Sequence, residues 1–134
     1  MDPQQAYADA ATAVSDPDHA GYLMYRAVAK ECHAMRQALM DADWPELVRA
    51  GHHAQQILAA LHDLANPARP HGPQFRLSNR WAWREVGRVV REHEAFRLEP
   101  VSVWAETLAT QLYHRLVRAG EDPDTGRARS GGAQ

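Results

Sequence analysis

The chain has 134 residues, 45 % of them hydrophobic and 24 % charged, with a formal net charge of −2. That length suits one domain, which buries roughly two-thirds of its unfolded surface and needs no staples to hold a core. A single cysteine excludes an internal disulfide framework and fits a reducing cytoplasm; no uncharged apolar run is long enough to span a bilayer, and MDPQQAYADAATAV lacks the basic region that opens a secretory signal.

The small net charge hides a segregation. Residues 1–66 carry nine acids and four bases, residues 67–97 three acids and seven arginines, and residues 98–134 five acids and four bases, giving −5, +4 and −1. Such a distribution speaks of surfaces and partners rather than of fold. Fourteen arginines against one lysine fit a GC-rich coding bias and carry no mechanism.

Asp2-Pro3-Gln4-Gln5 predicts a short N-terminal helix, with an N-cap aspartate, proline at the first helical position and glutamine closing a capping box. It runs to Val14 with little to bury, and Ser15-Asp16-Pro17-Asp18 ends it and caps the next helix. From there to about Met40, Gly21, Tyr25, Val28, Cys32, Met35 and Leu39 recur at alternating steps of four and three. After a turn at Asp41–Asp43, Trp44, Leu47, Gly51, Ala54, Leu58, Leu61 and Ala65 recur in the same way. Both are 3.5-residue repeats, and a turn this short forces the two helices antiparallel, seam against seam. Asp43-Trp44-Pro45-Glu46 is a capping box at the start of the second, and Asn66-Pro67 ends it.

Residues 66–77, NPARPHGPQFRL, hold three prolines and a glycine and read as a long connection or functional loop. Ser78 or Asn79 then caps a helix to about Leu98, fourth in the chain, with Trp83, Val86, Val89, Val90, His93 and Phe96 on one broad apolar face. Pro100 opens a fifth, lined inside by Val101, Trp104, Ala105, Leu108, Leu112 and Leu116 and stopped at Gly120. From Glu121 onward no large apolar residue remains, so 121–134 is predicted to be a disordered tail. The sum is all-α: a single domain over 1–120, a bundle of four main helices plus the short N-terminal one, built on the antiparallel hairpin.

The main functional candidate lies on the helix predicted over 78–98. Arg80, Arg84, Arg88 and Arg91 fall within an arc of about 80° opposite the apolar face, with Arg76 leading in and Trp81 at the edge. Guanidinium groups in a row beside an aromatic suit carboxylate or phosphate partners through forked hydrogen bonds and stacking. The plain alternative is a solvated face whose arginines pair with Glu85, Glu92 or the acidic first hairpin. No helix-turn-helix precedes the stripe, which puts a protein partner ahead of a nucleic acid.

Eight histidines include no HExxH, no Glu-x-x-His and no His-x3-His spacing, and Cys32-His33 and His52-His53 point about 100° apart on a helix. No metal or cofactor is implied, and Cys32 falls on the apolar seam. The stretch Asp43–Leu61, with His52 at its middle, faintly resembles the helix of histidine phosphotransfer domains, which implies a phosphorylatable histidine followed by lysine and glycine. Gln55 and Gln56 stand in those places and supply neither counter-charge nor access. No serine has a glycine-flanked elbow, and Asp41 and Asp43 read as turn and cap residues. These features predict a non-catalytic, cytoplasmic accessory or regulatory protein that binds a macromolecule through the arginine face and the 66–77 loop. The rival from another class is a small helical enzyme or phosphocarrier using His52, His53 or His93.

Overall fold

A computed structural model describes residues 17–65, 68 and 71–125. Four long helices follow one another: α1 (Pro17–Asp41), α2 (Trp44–Leu64), α3 (Gly72–Glu92) and α4 (Leu98–Arg118), with a 3-10 turn at Ala95–Arg97 between the last two. The described chain is all-α, with no strand. The helix predicted over 3–14, its Asp16 boundary and tail residues 126–134 lie outside the described residues.

The hairpin of α1 and α2 forms as its seams predict. Tyr25, Val28, Cys32 and Met35 on α1 and Leu47, Ala54, Leu58 and Leu61 on α2 are all buried. The turn works through Ala42, which takes the left-handed conformation at φ 52°. Asp43 then caps α2 by accepting from the Glu46 amide at 3.2 Å. Only half of the predicted capping box closes, because the Glu46 carboxylate turns to Arg49 instead, at 2.6 and 2.8 Å.

α2 then packs on α3 and α4 on α1, while the α3–α4 seam is the sparse side of the bundle. Aromatic rings fill it: Trp104 meets Tyr25 edge-on at 5.4 Å and Trp81 edge-on at 6.0 Å. The α2–α3 crossing is close because Gly51 faces Val90, whose Cγ2 stands 2.3 Å from where a Cβ would lie. At the end of α4, Gly120 at φ 81° lets the Gly120 and Glu121 amides reach back to Val117 and Leu116. That is the predicted C-terminal stop, a Schellman arrangement. Beyond it the described chain continues to Thr125, and Asp124 returns to Arg26 at 3.0 Å.

Three boundaries differ from the sequence reading. α3 begins at Gly72 rather than at a Ser78 or Asn79 cap, with Pro73 inside its first turn, so half of the predicted 66–77 loop is helix. Asn79 is instead buried in mid-helix and accepts a hydrogen bond from the Tyr25 hydroxyl at 3.1 Å. α3 also stops early, at Glu92, where His93 takes a left-handed conformation and stacks on Trp44 at 4.4 Å. α4 accordingly starts at Leu98, with Pro100 inside its first turn, where a missing amide donor costs nothing.

Burial pushes the Tyr25 phenol up to about 12, against a smaller opposing effect of its hydrogen bond to Asn79. Burial likewise pushes the Cys32 thiol up to about 12, with Glu31 adding to it. Both folded values lie above the unfolded ones of 10.0 and 9.0. Their stabilising contribution is therefore complete below about pH 9 and is lost as pH rises toward 12. The urea midpoint should hold near pH 8 and fall steadily from about pH 9 to pH 12. Iodoacetamide should leave Cys32 unmodified at pH 8 until urea unfolds the chain. Rapid native-state alkylation, or a midpoint flat to pH 12, would contradict this burial.

Candidate partner-binding face

The arginine face is a consequence of how α3 turns its back to the core. Asn79, Ala82, Val86 and Val89 point inward and are buried. On the opposite side Arg80, Arg84, Arg88 and Arg91 are all exposed. From Arg80 to Arg91 the row runs about 16 Å at 1.5 Å per residue. Among the described residues only Arg88 has an ion-pair partner, Glu92 at 3.6 Å. Glu85 is committed to Arg97 at 2.9 Å. The acids of the first hairpin are also used elsewhere: Asp18 pairs with Arg115, and Glu31 and Glu46 pair with Arg49. The row is therefore not closed against that hairpin. Arg76 is set apart, being half-buried with its Nε lacking a hydrogen-bond partner among the described residues.

The tryptophans of α3 sit differently from the sequence reading. Trp81, expected at the exposed edge, is half-buried against the core beside Trp104. Trp83, expected in the core, is 45 % exposed and stands next to Arg80 and Arg84. Gly87 lets Gln55 of α2 come so close that a Cβ there would lie 2.8 Å from its Nε2, and Gln55 donates to the Trp83 carbonyl at 3.1 Å. At this crossing Asn79, Ala82 and Gly87 are buried, while the Trp83 indole stays outside. Trp44, His93 and Phe96, also predicted on core faces, are exposed as well. Trp83 and Arg80 border a groove of about 190 Å³ between α2 and α3 that also includes His62, Asp63 and Asn79.

No family model, no curated protein and no solved structure matches the chain.

The histidines named as a rival site do not converge on a reaction centre. His53 on α2 is tied through Nδ1 to the buried Glu31 of α1 at 2.6 Å, and Arg49 grips the same carboxylate at 3.1 Å. His52 is exposed beside it, and the His93 ring is stacked on Trp44 at the far end of α3. Among the described residues no three His, Cys, Asp or Glu side chains lie close enough to share a metal ion. No described helix is long and apolar enough to cross a membrane. A larger concavity lies elsewhere, between α1 and α4. It escaped the sequence reading because its walls come from helices far apart in the chain, with no local motif on either.

Proposed function

We propose that this chain is a non-catalytic accessory or regulatory module of the cytoplasm that docks an acidic partner protein on the outer face of α3. The observation that carries the reading is the row Arg80, Arg84, Arg88 and Arg91, exposed and almost without internal partners, with Trp83 beside it. Unpaired guanidinium groups are weakly hydrated and present forked donors to carboxylates. An adjacent exposed indole supplies the large apolar contact that anchors protein interfaces. Trp83 takes the place that Trp81 holds in the sequence reading.

The test compares partner capture from the source cell by wild type and by Arg84→Glu/Arg88→Glu. The double reversal should abolish capture of a partner that wild type retains, and binding should weaken as salt rises. Its thermal stability should stay within about 0.5 kcal/mol of wild type, since exposed charges contribute little to the fold. Unchanged capture would end the proposal. A captured nucleic acid with a steep salt dependence would replace the protein partner by a phosphate backbone.

A further inference from the structure

The groove between α1 and α4 has a volume of about 740 Å³, within the range of small-molecule sites. It exists because Ala29 of α1 and Ala109 of α4, both buried, lie where the two helices face one another, while long side chains stand on either side. At one end are the rings of Tyr22 and Tyr113, 5.9 Å apart and tilted by 52°. At the other end His33 and Glu106 meet across the helices at 3.2 Å.

The charges at this groove are unequally satisfied. Arg26 is held by the Tyr22 hydroxyl at 2.9 Å and by Asp124 at 3.0 Å. Those contacts, the Tyr22 hydrogen bond foremost, raise its pKa further. Glu106 is engaged by His33. Lys30, one turn beyond Arg26, is exposed and has no hydrogen bond or ion pair among the described residues. It is also the chain's one lysine. The groove is thus an apolar trough with the unpartnered Lys30 ammonium at its rim, the Glu106 carboxylate hydrogen-bonded to His33 at one end, and Thr110 and His114 on the α4 side.

We infer that this groove binds a free amphiphilic organic anion: a carboxylate or sulfonate on an aromatic or short aliphatic body. The body lies on Ala29, Ala109 and Tyr113, and the anionic head meets the Lys30 ammonium. The floor between Arg26 and His33 is about 10 Å long at 1.5 Å per residue, room for a fused ring system or an octyl-length chain. The attraction combines apolar burial with one charge-assisted hydrogen bond.

The experiment titrates the full chain with anilinonaphthalene sulfonate, followed by its fluorescence, and then adds decanoate as competitor. Saturable binding of one dye per chain, displaced by decanoate, is expected, with near-UV circular dichroism unchanged so that a loosened core is not the source of the signal. Lys30→Glu should weaken binding about tenfold or more. Thr110→Trp, which fills the groove from an exposed position, should abolish it, and Arg84→Glu/Arg88→Glu should leave it unaltered. Because Lys30 is the sole lysine, its acetylation by acetic anhydride can be read on one peptide, and decanoate should slow it. Dye binding that is unsaturable, indifferent to both groove variants, or accompanied by loss of near-UV signal would overturn the inference. Decanoate that leaves Lys30 acetylation unchanged would do so as well. Flotation on phosphatidylglycerol vesicles without binding of the free dye would assign the cation to a lipid surface and overturn it too.

Discussion

Replacing Arg49 by Met and His53 by Leu together is expected to destabilise the bundle by about 3–5 kcal/mol, the usual range for stranding a buried charge. Glu31 is 5 % exposed, and both of its partners come from the neighbouring helix: Arg49 at 3.1 Å and His53 at 2.6 Å. With both removed, the carboxylate stays between α1 and α2 without a counter-charge, and desolvation is no longer offset. Adding Glu31→Leu should recover most of the loss, since a buried ionic cluster exchanged for apolar side chains of similar volume is often neutral. Urea titrations of the double and triple variants decide the matter. A double variant within about 1 kcal/mol of wild type would mean that Glu31 finds water in the folded state.

Truncating Leu58 to alanine should cost about 2–5 kcal/mol. Leu58 is fully buried on the α2 seam, among side chains that close around it from the hairpin and from α3. The loss combines the removed apolar surface with the cavity left behind, which a close crossing held at Gly51 and Val90 does not easily collapse. In a domain of this size each kcal/mol lowers the melting temperature by roughly 3–6 °C. A denaturant titration showing a loss below about 1 kcal/mol would mean that the groove beside Leu58 lets the site repack.

These two positions differ in how far they were legible beforehand. Leu58 belongs to a 3.5-residue seam, and apolar spacing alone turns that seam toward a partner helix. The Glu31 cluster has no such signature. Glu31 is one charged residue between seam positions, and its partners lie 18 and 22 residues away on another helix. A single acid on a helix carries no sign of whether water or a guanidinium will satisfy it.

On α3 the sequence was legible in part. Four arginines at helical spacing must share a face whatever the fold, and that face is exposed. Which tryptophan stands beside them was not legible, because whether a ring at the margin of a face is covered depends on the side chains of the neighbouring helices. The Gly72-Pro73 start was available as a signal, since proline in the first turn suits a helix. Three neighbouring prolines argued more loudly for a loop.

What the amino-acid sequence determined by itself is local: the two seams, the Asp43 cap, the Gly120 stop and the arginine row each follow from a few neighbouring residues. Tertiary structure decided the rest. At the α2–α3 crossing, where Gly51 meets Val90 and Gly87 meets Gln55, Asn79 is buried while the Trp83 ring stays outside. The end of α3 at His93, with neither glycine nor proline there, accompanies the stacking of its ring on Trp44 from another helix. The α1–α4 groove depends on Ala29 meeting Ala109 across the bundle. Helical periodicity specifies which residues share a face, whereas the angle at which that face meets its neighbour depends on side chains of another helix, and a reading along one helix does not contain them.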